Sequence, residues 1–265
     1  MFKQRLLTTL VLVPLVLLAI YYANSWVFTG LILLLLLACG LEWLSLIPVN
    51  QTWLKIIYVL VLFTMTWLSH YAFNYWLGVG VLVWLLSTVA ILSFPKSERF
   101  WGHPWIVAVA GLLLLPLFAQ SLLGVYYQSQ GKNLFVYLLL LVWAADIGAY
   151  LVGKQWGRHK LIPLVSPGKS VEGALGGFTL SMLVAVAGYF CFRPGFVINW
   201  FLIAIAVTLI SMIGDLFISM LKRRQKIKDT GHLLPGHGGV LDRLDSLIAA
   251  LPLFYCGLEV FAPGL

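Results

Sequence analysis

The feature that most constrains this fold is the recurrence of apolar runs of about 20 residues along the 265-residue chain. A helix needs about 20 such residues to cross a hydrocarbon core about 30 Å thick. Only 10% of the residues are charged, whereas a soluble domain carries about a quarter, so the chain cannot cover a water-facing surface. A membrane β-barrel would need short segments of alternating polarity, and these runs do not alternate. The sequence therefore predicts an all-α, polytopic integral membrane protein.

We predict about nine transmembrane helices. Their approximate bounds are 6–22, 26–48, 54–69, 74–93, 104–124, 133–153, 171–191, 198–221 and 245–261. The first could be taken for a signal peptide, but it lacks an A-x-A-like cleavage site, so we predict a retained helix. Because Pro116 lies within the fifth, we expect an interruption there.

The basic residues predict the orientation of these helices. With nine spans, only Lys132 and Arg193 fall on one side of the membrane, and the rest of the 17 Lys and Arg residues fall on the other. The positive-inside rule makes the richer side cytoplasmic, so we expect the N-terminus in the cytoplasm. The net charge of +8 then reflects topology and contact with anionic head groups. We accordingly expect membrane lipids, and no nucleic acid, as partners.

The polar chemistry is concentrated in the second half of the chain. Residues 1–130 are nearly plain transmembrane helix, with Glu42 as the only acid inside a predicted span. Residues 131–265 carry the catalytic helices and two cytoplasmic loops, 154–170 and 222–244. We regard the two parts as one membrane domain.

The first loop contains the turn SPGKS, residues 166–170, immediately before a predicted helix. Ser170 is a suitable N-cap, and Glu172 follows in the first turn. Backbone N–H groups at a helix start favour anions, and Lys169 beside them suits a phosphate. The alternative interpretation is a capped helix with a lysine that extends toward the head groups, followed by a small-residue packing face at Gly173-x-x-x-Gly177.

Several acids lie near the second loop. Asp215 is about two helical turns inside the predicted eighth helix, and Asp146 is buried similarly in the sixth. Ionisable groups at such depth are functional candidates by default. Together with Asp242 and Asp245 at the mouth of the ninth helix they suggest a magnesium site, because Mg²⁺ takes oxygen ligands, usually one or two carboxylates plus substrate phosphates. In the alternative interpretation, neighbouring Lys and Arg side chains simply neutralise these acids.

The second loop also carries histidines and glycines. His232 and His237 have neither a third His nor a paired Cys to complete a zinc site. We interpret His237 as a hydrogen-bond donor to phosphate or as an ordinary loop residue. Gly238 and Gly239 would let the backbone approach a ligand closely.

Three segments carry a family resemblance: SMLKRRQKIKDTGHLLPGHGGVLDRLDS from Ser219, SPGKSVEG from Ser166, and GDLF from Gly214. Together they resemble the signature of phosphatidate cytidylyltransferases (CDP-diacylglycerol synthases), over roughly residues 140–250. One position departs from that pattern, because Ile218 stands where the family commonly has Glu. A divergent, less active family member is therefore one alternative.

The resemblance implies transfer of the cytidylyl group of CTP to phosphatidate, giving CDP-diacylglycerol and pyrophosphate for phospholipid synthesis. The resemblance also implies a homodimer. We expect the protein in the bacterial inner (plasma) membrane, with the active site facing the cytoplasm. A CTP-dependent lipid kinase and a transporter with intramembrane Asp residues remain alternatives.

The expected cofactor is Mg²⁺, with room for a second cation. We expect Asp215 and Asp242 to bind Mg²⁺, and Asp146 and Asp245 to serve a second cation or to support the metal ligands. The full set of expected catalytic residues is Asp215, Asp242, Lys222, Arg223, Lys228, Asp229, His237, Arg243 and Asp245. The expected substrate-binding residues are Ser166, Lys169, Ser170, Glu172, Gly238 and Gly239.

Overall fold

The fold is known from a computed structural model that describes residues 2–233, 236 and 238–261, with the side chains of 2–9 and 261 excluded. Within these residues it contains nine long α-helices, one short α-helix and a 3-10 turn at Leu44–Leu46 that directly follows α2. The long helices are α1 (Phe2–Tyr22), α2 (Ser25–Trp43), α3 (Thr52–Tyr71), α4 (Phe73–Leu92), α6 (Pro104–Tyr126), α7 (Gly131–Trp156), α8 (Val171–Phe192), α9 (Val197–Arg224) and α10 (Leu241–Phe261). The short helix is α5 (Glu98–Trp101).

Seven of the described helices, α2 to α4 and α6 to α9, are long and apolar enough to cross a membrane. Large apolar side chains such as Leu34, Leu85 and Leu183 are exposed on the surface, as expected for helices that face lipid rather than water. The all-α membrane fold predicted from the sequence is therefore confirmed. The number of helices that cross the membrane and the side of the N-terminus stay predictions.

Two helices differ from the predicted bounds near functionally relevant positions. The α10 helix begins at Leu241, four residues before the predicted start, so Asp242 lies in the first turn rather than ahead of the helix, and Asp245 lies one turn inside it. An acid in the first helical turn interacts favourably with the N-terminal end of the helix dipole. The expected interruption at Pro116 was wrong, because α6 continues through this buried proline; membrane helices tolerate proline where neighbouring groups compensate the lost hydrogen bond.

A small β-hairpin occupies the segment that we treated as the first loop. Strand β1 (Lys160–Ile162) pairs antiparallel with strand β2 (Ser166–Ser170). Ser170 ends β2 and caps α8, because its hydroxyl accepts a hydrogen bond of 3.1 Å from the Gly173 backbone N–H. The predicted N-cap is thus confirmed, and the hairpin connects α7 directly to the start of α8.

The α7 and α8 helices pack closely along a stripe of small residues. A Cβ atom at Gly173 would lie 2.8 Å from the Ala149 carbonyl oxygen, and one at Gly177 would overlap the Ala145 carbonyl oxygen. On the α7 side, Gly148 faces the backbone of Gly176 in the same way. The predicted small-residue packing face is confirmed, and it sets the distance between the two helices.

Hydrogen bonds at the helix ends connect elements that are distant in sequence. At one end of the bundle, the Lys132 ammonium donates to the Tyr21 carbonyl oxygen over 2.8 Å. At the C-terminal end of α9, the side chains of Arg224 and Gln225 both donate hydrogen bonds to the carbonyl oxygen of Leu46, which lies just after α2. The end of α2 therefore meets the end of α9, close to the start of α10, where the site lies.

Candidate active site

A cavity of roughly 460 Å³ lies between α7, β2, the start of α8, α9 and the start of α10. Most of its charged lining comes from residues that the sequence had singled out. The charged side chains on its surface are Asp146, Lys169, Asp215, Lys222, Asp229, Asp242, Arg243 and Asp245. Apolar residues such as Ala145, Leu161 and Met212 complete the wall. The cavity thus combines both signs of charge with an apolar surface.

Three carboxylates approach this cavity from three different helices: Asp146 on α7, Asp215 on α9 and Asp245 on α10. They are close enough that their negative charges act on one another. The Asp245 side chain is buried, and its Oδ1 accepts a 2.7 Å hydrogen bond from the Ser246 backbone N–H. Like charges so near to each other are accommodated by a cation beside them or by a proton on one of them.

The three carboxylates offer a donor set that suits Mg²⁺. Among the described residues, no group of three or more His, Cys, Asp or Glu side chains has the arrangement of a complete protein-built metal cage. Mg²⁺ does not require one, because it commonly binds through one or two carboxylates while water and substrate phosphates complete an octahedron. Asp215 with one of its two acidic neighbours therefore fits this ion.

Two lysines already pair with acids of the site. The Lys169 ammonium lies 2.5 Å from Asp215 Oδ2, and both side chains are about 30% exposed. The Lys222 ammonium lies 2.7 Å from Asp242 Oδ1 in a more enclosed position, with exposures of 13% and 3%. The neutralised-acid interpretation thus describes these two pairs correctly. It does not exclude ligand binding, because the exposed Lys169 can change partner.

Asp242 has surroundings that we did not expect for a metal ligand. Besides Lys222 on Oδ1, its Oδ2 accepts hydrogen bonds from the backbone N–H groups of Thr230 at 2.8 Å and Gly239 at 3.0 Å. The Thr230 hydroxyl is an additional contact of the same oxygen, at 3.1 Å. A carboxylate has about four acceptor positions, so these contacts use most of its capacity. Asp242 therefore holds two points of the loop 225–240, Thr230 and Gly239, against the start of α10.

The other predicted catalytic residues lie at different distances from the cavity. Asp229 and Arg243 line it, whereas Lys228 and Arg223 are exposed and do not. The Arg223 Nε donates to the Val165 carbonyl oxygen at 3.1 Å, so this side chain anchors the hairpin. His237 lies outside the described residues.

Only some of the predicted substrate-binding residues line the cavity. Lys169 and Ser170 line the cavity, but Ser166 does not. Glu172 points to the other side of α8, where its carboxylate accepts from the Arg158 and His159 backbone N–H groups and pairs with the His159 ring. It therefore fixes the turn between α7 and β1.

The glycines of the second loop contribute through backbone conformation and hydrogen bonding, and their approach to a ligand stays a prediction. Gly238 has a positive φ of 84°, and Gly239 donates its N–H to Asp242. The unusual Ile218, by contrast, is 1% exposed and does not line the cavity.

Sequence reasoning missed two residues that organise the site. Thr230 contacts Asp242 through both its N–H and its hydroxyl. Glu42, at the end of α2, accepts hydrogen bonds from the backbone N–H groups of Val240 and Leu241 at the start of α10. The available signal for Glu42 was its isolation as an acid within an otherwise apolar span, which marks an expensive group with a specific partner.

Comparison with known proteins agrees with this arrangement. The model of the Cytidylyltransferase family matches residues 3–261. The chain is 39% identical over 274 residues to a phosphatidate cytidylyltransferase of Pseudomonas aeruginosa, with 96% of each chain covered. It is 33% identical over 282 residues to that of Haemophilus influenzae, covering 96% of this chain and 97% of the relative. A Staphylococcus aureus phosphatidate cytidylyltransferase is 43% identical over 129 residues, about half of each chain.

The family match therefore extends well beyond residues 140–250, which carried the sequence resemblance, into the N-terminal helices. The predicted family is confirmed. Because both the family model and two relatives cover nearly the whole length, the chain belongs to the cytidylyltransferase family.

Proposed function

We propose that this membrane protein transfers the cytidylyl group of CTP to phosphatidate, producing CDP-diacylglycerol and pyrophosphate. The observation that carries the proposal is that one cavity brings Lys169, Lys222 and Arg243 together with Asp146, Asp215 and Asp245. Two polyanionic substrates must meet in such a reaction, and both fixed cations and a bound divalent ion are needed to bring them together. The names of the full-length relatives support the same activity.

The chemistry requires little from the protein as a base. The phosphate monoester of phosphatidate is already largely dianionic at neutral pH, since its second pKa is near 6. One of its oxygens forms a bond to the α-phosphorus of CTP while the bond from that phosphorus to the β-phosphate oxygen breaks, releasing pyrophosphate. The protein must therefore align two phosphates and stabilise the charge that moves onto the leaving group.

We assign Asp215, with Asp146 and Asp245, to hold Mg²⁺ in the cavity. When bound, Mg²⁺ would supply charge stabilisation at the phosphoryl oxygens. Lys169 pairs with Asp215 at a partly exposed position, so its ammonium can turn to a phosphate once that carboxylate has another partner. Charge-assisted contacts of this kind are roughly twice as strong as neutral hydrogen bonds.

We assign Lys222 and Arg243 to hold substrate phosphates in place during the reaction. Lys222 is held by Asp242, which fixes its ammonium at the cavity wall, and Arg243 lies on the first turn of α10. Asp242 itself serves as the structural partner of Lys222 and of the loop 225–240. This differs from the expectation that Asp242 binds the metal, because its oxygens already have several donors.

We further propose that the cavity opens to the cytoplasm of a bacterial cell. The positive-inside rule supports this side, because the basic residues around both loops belong to the richer side of the membrane. A homodimer is the assembly that the sequence resemblance implies, and the mass of the purified protein–detergent complex tests it.

Product analysis tests the function. Purified protein in detergent is incubated with CTP labelled on the cytosine and with Mg²⁺, in parallel reactions that contain either phosphatidate or a lipid alcohol such as diacylglycerol. We expect the label in a CDP-lipid, with one pyrophosphate released per lipid formed. Release of free CDP together with a phosphorylated lipid alcohol would identify a lipid kinase instead, and the absence of any product would contradict the enzyme proposal.

A further inference from the structure

Glu42 lies in the N-terminal part of the chain, residues 1–130, but its side chain contacts the second loop and the start of α10. It is 5% exposed, near the end of α2. Its Oε1 accepts from the Val240 N–H at 2.9 Å, and its Oε2 accepts from the Leu241 N–H at 2.7 Å. Among the described residues, none of the ion pairs includes Glu42. Its negative charge is therefore compensated by backbone N–H groups at the start of α10.

Two glycines of the loop leave the space that this carboxylate fills. A Cβ atom at Gly231 would overlap Glu42 Oε1 and Cδ, and a Cβ at Gly239 would overlap Glu42 Oε2. No side chain fits at either position while Glu42 keeps its place. The described parts of the loop around Gly231 and Gly239 are thus shaped around the Glu42 carboxylate.

A single hydroxyl links Glu42 to the active site. The Thr230 Oγ1 lies 3.2 Å from Glu42 Oε2 and 3.1 Å from Asp242 Oδ2, so the hydroxyl lies between two buried carboxylates and can donate its one proton to either of them. Asp242 in turn holds Lys222, and Asp245 lies one turn further along α10. Any shift of Glu42 would therefore move the start of α10 and the charged groups that it carries.

We propose that Glu42 is a positioning residue for the reaction: it fixes the start of α10 and the loop 225–240, and thereby places Lys222, Arg243 and Asp245 in the cavity. The role requires the charge and the length of the Glu side chain, since both oxygens contact N–H groups on consecutive residues. The inference rests on the proposed function only where turnover is the measurement.

The test compares Glu42→Gln, Glu42→Asp, Glu42→Ala and Gly231→Ala with the unaltered protein. Gln keeps the shape but turns an N–H donor toward a backbone N–H, and Asp keeps the charge but is one methylene shorter. We expect kcat per folded protein to fall roughly tenfold in Glu42→Gln and Glu42→Ala, a loss at the lower end of that caused by removing groups that orient site ligands. Asp should restore part of the activity.

Gly231→Ala tests the same contact from the opposite side. The three atoms closest to the added Cβ at position 231 all belong to the Glu42 side chain. We therefore expect Gly231→Ala to lower kcat about as much as Glu42→Ala does. In the double variant Glu42→Ala/Gly231→Ala the new methyl group has no carboxylate to meet. We therefore expect the double variant to be no worse than Glu42→Ala alone, a non-additivity that indicates direct contact.

A second measurement does not depend on turnover. Trypsin cleavage after Lys226 and Lys228, two exposed loop residues, reports on the order of the loop 225–240. We expect cleavage to become roughly fivefold faster in Glu42→Gln and in Gly231→Ala, because a loop that loses its anchor opens more often. Matched controls are Gly30→Ala, on the same helix with open space around it, and Glu259→Gln, an exposed acid; both should behave as the unaltered protein.

The outcomes separate this inference from the proposed function. If the unaltered protein forms no CDP-lipid but the cleavage pattern is as expected, the function fails and the anchoring role stands. If Glu42→Gln and Gly231→Ala keep full kcat per folded protein and normal cleavage, the positioning role is overturned. The role is also overturned if the losses of Glu42→Ala and Gly231→Ala simply add. Should Glu42→Ala fail to fold, Glu42→Gln and Gly231→Ala decide the question.

Discussion

At the scale of single residues, the two lysine–aspartate pairs of the cavity have different surroundings. Lys169 and Asp215 are each about 30% exposed, while Asp242 is nearly enclosed and has further backbone donors. An exposed pair is worth little for stability and can exchange partners, whereas removal of one member of a buried pair leaves an uncompensated charge. The two aspartates should therefore respond differently to the same substitution.

We expect Asp242→Asn to lower the free energy of unfolding by roughly 3 kcal/mol, because the largely enclosed Lys222 loses its counter-charge and the new amide faces N–H donors. Asp215→Asn should retain stability but lose nearly all turnover and require more Mg²⁺. Thermal unfolding in detergent and a Mg²⁺ titration of turnover distinguish the two. Equal losses, higher Mg²⁺ requirements in both variants and no further loss in the double variant would instead identify Asp242 as a ligand of the same ion.

Ile218 is the one departure from the family signature, and its position predicts the effect of restoring an acid. It is 1% exposed within the apolar core and does not line the cavity. We expect Ile218→Glu to reduce the free energy of unfolding by about 3 kcal/mol, with no gain in activity. Ile218→Leu is the volume-conserving control and should cost less than about 1.5 kcal/mol. Higher activity at unchanged stability would mean that a carboxylate at 218 reaches the metal.

At the scale of elements, the packing of α7 against α8 determines where Asp146 lies. The two helices approach so closely that a methyl group at Gly177 would overlap the backbone of Ala145, the residue before Asp146. A backbone oxygen cannot move aside as a flexible side chain can. The helices themselves must separate to accommodate any larger residue.

We expect Gly177→Ala to lower the free energy of unfolding by about 1–3 kcal/mol, the range for overpacking, and to reduce turnover by shifting Asp146. Gly78→Ala in α4, where nothing lies within 4 Å of the added Cβ, is the control and should be neutral or slightly stabilising. The measurement is the unfolding midpoint in detergent together with the initial rate. An unchanged midpoint for Gly177→Ala would show that the two helices are farther apart than described.

At the scale of the whole molecule, the orientation in the membrane is the prediction most open to a direct test. The test uses two single variants, Lys96→Cys and Ser129→Cys. The nine-helix arrangement places these two positions on opposite sides of the membrane, and both are exposed. The native Cys191 and Cys256, exposed and half-buried respectively, must first be replaced by Ser. In intact cells an impermeant maleimide should label position 129, and position 96 only after the membrane is opened. Labelling of both positions from the same side would contradict the arrangement between them.

The sequence by itself determined the features that depend on local or repeated patterns. Apolar runs of membrane length gave the helices, because backbone groups in lipid must be satisfied within the segment. The cap at Ser170 and the glycine face that begins at Gly173 followed from spacing along one helix. The polar signature around Asp215 and Asp242 was sufficient to identify the family.

Only the tertiary structure decided which side chains meet. Glu42 and Leu241 are 199 positions apart, and Arg223 and Val165 are 58 positions apart, so neither contact has a periodicity that could reveal it. The start of α10 was placed too late for the same reason, since its first N–H groups are satisfied by Glu42 from α2 rather than by a local cap. Likewise, the role of Asp242 depends on the donors that folding brings to it. Spacing along the chain identifies which groups are polar, but packing determines which partner satisfies each one.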